Sequence, residues 1–233
     1  MTAPDTLLDR YVAVWNEPDR AVRDAGVAAL WAPDGLHHTQ TRAFRGTEAL
    51  AARVTEAYEQ FVGGAGLLFR HRDDLVTHHD AAVFTWEMTP AAGRDVLAVG
   101  FDFVLLDEAG RLRVDYQFNE PPAPATELDE LARRLLALPR EQDEDLRRKQ
   151  TDALYAPDAR MVDESAERDL HTALAAAPKG EVRRLRGHAS AQHDALRFGW
   201  ELAPADGGPA VTGVDFLIRG ADGLLAAHYR FTI

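Results

Sequence analysis

Imidazole and carboxylate groups are the side chains of this sequence best placed for chemistry, because it contains no cysteine. His37 and His38 stand side by side in a short strand expected over Leu36–Thr41. Imidazole titrates close to neutral pH and can move a proton. Asp115 lies on a later strand and shares a face with Gln117 and Asn119, since successive side chains of a strand point to opposite sides. A carboxylate in an apolar funnel formed with Phe84, Trp86 and Met88 suits acid/base work. The same residue could instead be tied up in an ion pair with Arg113 or Arg70. Asp102, between Phe101 and Phe103, falls on the strand face of Gly100 and Val104.

Other chemistries lack their signatures. Gly63-Gly-Ala-Gly66 follows a helix rather than a strand and has no P-loop lysine, and neither a nucleophile elbow nor a zinc motif occurs. His78-His79 reads as a turn rather than a metal site. Any reaction is therefore expected to need no cofactor and no metal. A net charge of −12 works against a nucleic-acid partner or an anionic membrane. No apolar run approaches the ~20 residues of a membrane span, and the amino terminus lacks a signal-peptide shape, so a cytoplasmic location is expected.

The stretch Phe84–Phe118 is written twice. With one residue deleted it recurs as Phe198–Phe231, keeping Phe, Trp, Glu, Pro, Gly, Asp, Tyr and Phe in order. Leu7–Asp34 likewise lies over Leu131–Asp158 without a gap. A period of about 120 residues is that of a domain, not a solenoid repeat. The 233 residues, 46% of them hydrophobic, are therefore expected to form one domain over 1–120, a proline-stiffened linker over 121–126 and a second domain over 127–233.

Each copy has a helical front and a strand-rich back. Apolar spacing predicts helices over Pro4–Asn16, with Tyr11 and Trp15 on its apolar face, over Arg20–Trp31, and over Thr47–Gln60 with Thr47 as N-cap. Strands follow over Leu67–Thr77, Ala82–Pro90, Val96–Leu106 and Arg111–Asn119. The second copy is expected to have helices over Glu127–Leu138, Glu141–Tyr155 and Ser165–Ala176. It should be trimmed where the first carries His37, His38 and Gly46, and the larger cavity should lie in residues 1–120.

Arg10-Tyr-Val12, Trp31-Ala-Pro-Asp34, Phe44-Arg-Gly46 and Asp107-Glu-Ala-Gly-Arg-Leu112 make the sequence resemble the family of nuclear transport factor 2, ketosteroid isomerase and the SnoaL-type polyketide cyclases. The resemblance covers about 120 residues of the first copy and about 100 of the second. It implies an α+β fold: two tandem cones, each of three helices packed on a curved antiparallel sheet. It also places Asp102, Asp115 and Gln117 on the concave side, leaving Phe101, Phe103, Tyr116 and Phe118 on an outer face that needs cover. The sheets are then expected to pack face to face as an internal pseudo-dimer in a monomeric chain.

Asp102 matches the position of the isomerase's oxyanion-hole Asp, a carboxylic acid kept neutral by an apolar site, and Tyr11 that of its helix-one Tyr. Asp215 repeats Asp102 in a copy whose Tyr11 equivalent is Leu135, so a purely structural role stays open. The isomerase's general base should fall near Thr39, which has no carboxylate; His37 or His38 could replace it. The resemblance thus implies Tyr11, His37, His38, Asp102 and Asp115 as catalytic candidates. Trp15, Phe84, Trp86, Met88, Gln117 and Asn119 would contact an apolar, oxygenated ligand. The function implied is isomerisation, cyclisation, dehydration or epoxide hydrolysis of a small metabolite, or else ligand binding without catalysis.

Overall fold

Thr6 fixes where the chain first becomes helical. Its hydroxyl accepts the Asp9 N–H at 3.1 Å while the Asp9 carboxylate takes the Thr6 N–H at 3.3 Å, a reciprocal cap that starts α1 (Leu7–Asn16). The computed structural model describes residues 6–178, 182–202 and 209–233, so the expected start at Pro4 lies outside the described residues. The chain divides into two compact units, Met1–Pro121 and Pro122–Ile233.

In the first unit Asp19 caps α2 (Arg20–Leu30) by accepting the Ala21 and Val22 N–H groups. Strand β1 (Trp31–His38) begins at once, five residues before the expected start at Leu36, with Trp31 and Ala32 already buried. A short β2 (Ala43–Arg45) returns to α3 (Gly46–Ala57), which runs on as a π-helical turn over Tyr58–Gly63. Thr47 does not cap α3: Gly46, at φ +81°, turns the strand directly into the helix, and Thr47 falls within its first turn. Strands β3 (Leu67–His71), β4 (Val76–His78), β5 (Ala81–Pro90), β6 (Ala98–Leu106) and β7 (Leu112–Glu120) complete the sheet. Its order is β2-β1-β7-β6-β5-β3, with β4 also on β5. The sheet is mixed rather than wholly antiparallel, because β1 and β7 run parallel, joined through α3 and the meander.

The helix-facing side of this sheet carries Ala82, Phe84, Trp86, Met88, Val104 and Leu112, which close over Leu8, Trp15, Val27, Leu50 and Val54. Tyr11 lies in the middle of this core.

The second unit repeats the plan with α4 (Thr126–Ala137), α5 (Glu144–Asp152), β8 (Tyr155–Val162), β9 (Glu167–Asp169), α6 (Leu170–Ala176), β10 (Arg183–Gln192), β11 (Ala195–Leu202), β12 (Val211–Arg219) and β13 (Leu225–Thr232). The order is β10-β11-β12-β13-β8-β9, and β8 and β13 are parallel like β1 and β7. The duplication extends to single hydrogen bonds. Arg23 Nη1 donates to the Glu17 carbonyl at 2.6 Å, and Arg147 Nη1 to the Glu141 carbonyl at 2.7 Å. His79 and His193 both turn at φ 51°.

The trimming of the second copy falls elsewhere than expected. Strand β8 has the eight residues and the burial pattern of β1, whereas α6 has 7 residues against the 12 of α3. The shortened part is a cone wall, which the matching Trp31-Ala-Pro-Asp34 and Tyr155-Ala-Pro-Asp158 motifs could not reveal.

Candidate active site

Strand register brings the candidates together. Across β5, β6 and β7, Phe84 stands opposite Asp102 and Asp102 opposite Gln117, while Asp115 stands opposite His37 on β1. Helix α1 lays Tyr11 over this row. Its hydroxyl is 2.6 Å from Asp102 Oδ2 and 3.1 Å from Asp115 Oδ2, and His37 Nδ1 is 2.9 Å from Asp115 Oδ2. Trp86 Nε1 donates to Asp102 Oδ1 at 3.2 Å. A continuous hydrogen-bonded path therefore runs from His37 through Asp115, Tyr11 and Asp102 to the indole of Trp86.

Trp86 reaches Asp102 because residue 100 has no side chain: a Cβ there would meet the indole at 2.2 Å. The Gly-x-Asp spacing was visible in the sequence, in both copies.

Tyr11, His37, Asp102 and Asp115 are all buried. Burial, and then the charges of Asp102 and Asp115, raise the Tyr11 phenol well above its ordinary value. Tyr11 thus stays a hydrogen-bond donor and cannot serve as a base at neutral pH. His37 Nε2 and Asp115 Oδ1 are buried and make no hydrogen bond. Neither arginine weighed for an ion pair with Asp115 makes one: Arg113 pairs with Asp80 at 3.3 Å, and Arg70 Nε donates to Thr89.

Beside this cluster opens a cavity of about 400 Å³ lined by Trp15, Phe61, Phe69, Trp86 and Met88 on its apolar side and by Thr39, Gln40, Thr41, Arg42, Arg53, Gln117 and Asn119 on its polar side. Trp15, Trp86, Met88, Gln117 and Asn119 line it as expected for ligand contacts. Phe84 does not; it packs edge-on against Tyr11 at 4.9 Å, behind the cluster. His38 is on the opposite face of β1 from His37, stacked on Tyr116 at 4.9 Å. Arg53 escaped the sequence reading. It sits on α3 between Leu50 and Val54 of the apolar stripe, and a cation flanking that stripe was its only signal. A wider, more open groove of about 690 Å³ runs past His79, Asp80, Asp107 and Arg113, but the path from His37 to Trp86 does not reach it.

The second unit fills the equivalent place with a closed network. Asp215, at the position of Asp102, accepts from Trp200 Nε1 (2.8 Å), His228 Nε2 (2.8 Å), Arg230 Nε (2.9 Å) and Arg230 Nη2 (2.6 Å). Tyr155 supplies its hydroxyl to the other nitrogen of His228 at 2.9 Å. Against the upward push of burial, Arg230 and His228 hold the Asp215 carboxyl below the usual range. Burial lowers His228, outweighing the upward pull of Asp215. The matching cavity, beside Met161 and Arg230, measures about 150 Å³.

Three helices on a curved sheet, closing on a polar cluster, make each unit an α+β cone. No family model matches the sequence, and no curated protein does. Among solved structures, a SnoaL-like family protein from Agrobacterium tumefaciens strain C58, named as an isomerase, is 26% identical, with a TM-score of 0.45, and spans 49% of this chain and 94% of its own. An NTF2-like protein of unknown function from Exiguobacterium sp. 255-15 is 17% identical, with a TM-score of 0.41, over 50% of this chain and 100% of its own. A protein from Sinorhizobium meliloti named as a polyketide cyclase is 11% identical, with a TM-score of 0.38, over 48% and 92%. The two units share one order of helices and strands, so the chain is a tandem of two α+β units built on one plan. Among the described residues no helix is long and apolar enough to cross a membrane.

Proposed function

We propose that the N-terminal domain is a small-molecule enzyme of the SnoaL/isomerase kind, using cofactor-free acid/base chemistry on an apolar, oxygenated metabolite, and that the C-terminal domain is a non-catalytic copy. The observation that carries this reading is the contrast between the two buried carboxylate clusters. In the C-terminal domain both Asp215 oxygens and both His228 nitrogens are engaged. In the N-terminal domain Asp115 Oδ1 and His37 Nε2 remain without hydrogen bonds in a buried setting. Unspent polar atoms in a core are costly for a purely structural network and are common in reaction centres.

In this reading His37 and Asp115 act as the proton-transferring pair, His37 taking the place of the carboxylate base that Thr39 lacks. Tyr11 keeps its proton and ties the pair to Asp102, fixing the Asp115 carboxylate beside His37 while the proton moves between His37 and the substrate. The aromatic wall holds the substrate and keeps water from the reacting atoms.

One observation favours the rival reading, ligand binding without turnover: none of Tyr11, His37, Asp102 and Asp115 lines the cavity, whereas Trp15, Trp86 and Gln117 do. A panel of ketone, enone and epoxide substrates, run with wild type, Asp102→Asn and Asp115→Asn, separates the two. Turnover that Asp115→Asn abolishes supports the enzyme. Turnover that both variants retain removes the site assignment, and no turnover by wild type supports the binding module.

A further inference from the structure

Arg53 and Trp15 line the same cavity, and each carries a buried donor that nothing in the chain uses. Arg53 Nε and Trp15 Nε1 are both buried and make no hydrogen bond. Among the described residues no carboxylate forms an ion pair with Arg53. Glu56, one turn on, is paired with Arg42 at 3.1 Å. The Arg53 guanidinium is instead held by rings, 5.3 Å from the Trp15 centroid and 5.8 Å from that of Phe44. Burial depresses Arg53 below the ordinary guanidinium value, opposed by Glu56 and reinforced by Arg42.

We propose that this cavity takes a small molecule carrying a carboxylate on an apolar body, with the carboxylate on the Arg53 guanidinium and the Trp15 N–H. The inference rests on the reading of this cavity as the ligand site and names the ligand class. A planar guanidinium with an adjacent N–H matches a carboxylate in geometry and charge. A neutral carbonyl would satisfy one donor and leave the charge uncompensated. Phe61, Phe69, Trp86 and Met88 then cover the apolar body. The chain's net charge of −12 repels anions at long range, so an acidic ligand needs a local cation of this kind.

The test is tryptophan-fluorescence titration of the full chain with a series from phenylacetate to 6-phenylhexanoate and with the matching primary amides. At least one carboxylate is expected to bind about tenfold more tightly than its amide, the gain of one charge-assisted contact. Its binding should weaken with added salt while that of the amide does not. Arg53→Gln should erase the preference, by weakening the acid far more than the amide. Should Arg53→Gln not fold, Arg53→Lys, which keeps the charge but not the planar fork, should lower the preference without abolishing it. Equal, salt-independent affinity for acid and amide would overturn the anion assignment while leaving the cavity as a ligand site. Saturable binding by no member of either series would overturn both. Because binding is read without turnover, the outcome does not depend on whether His37 and Asp115 are catalytic.

Discussion

The Tyr11 hydroxyl stands 2.6 Å from Asp102, a residue 91 positions away in the chain, and this contact joins helix α1 to the middle of the sheet. Since the same hydroxyl also lies 3.1 Å from Asp115, one phenol links two buried carboxylates. Tyr11→Phe should destabilise the fold by about 1–3 kcal/mol, the usual result of stripping a partner from buried acceptors. It should also lower turnover of any substrate found. Denaturant unfolding checks the first effect; a stability equal to wild type would show that the two carboxylates do not depend on the hydroxyl.

Gly100 is expected to be intolerant of any side chain, because a Cβ would meet the Trp86 indole at 2.2 Å. Gly100→Ala should cost about 1–3 kcal/mol as an overpacked site. It should also shift tryptophan emission, as Trp86 leaves Asp102. Unchanged emission and stability would mean that the indole is free to move.

How much of this was legible in the sequence depends on which force wrote it. The duplication and the shared strand face of Asp115 and Gln117 follow from repeated motifs and apolar alternation, which record packing, whereas the concave placement of that face came through the family resemblance. The convergence of Tyr11, Asp102, Asp115 and His37 could be drawn only through the family resemblance, because register between strands about 80 residues apart leaves no local pattern. His37 and His38 looked equivalent until the position of β1 beside β7 settled which of them faces Asp115. Arg53 was hidden for a different reason: a half-buried arginine beside an apolar helical stripe reads the same as one that snorkels to solvent.

In the C-terminal domain Arg230 holds the buried Asp215 through two hydrogen bonds. Arg230→Met would leave that carboxylate short of its cation, at a cost of about 3–5 kcal/mol. The sign of the pH dependence follows from the two neighbours. The Asp215 carboxyl is held low in the folded state, so its contribution is complete above the unfolded value near ~3.9 and fades as pH falls through the folded one. His228 is also held low, so the unfolded chain takes up its proton first and stability drops as pH falls below ~6.5. Both act in the same direction. Thermal unfolding of wild type should therefore shift to lower temperature from pH 7 to pH 4, and a flat profile would contradict the network as described.

Proton transfer by His37 and Asp115 is proposed to take place in the N-terminal domain alone. The most direct measurement is kcat/KM from pH 5 to 9, on a substrate taken from the panel, for wild type, Asp115→Asn and Arg230→Met. A fall of at least about 100-fold is expected with Asp115→Asn, with near-normal rates for folded Arg230→Met. A rate for Asp115→Asn within about threefold of wild type would contradict this assignment.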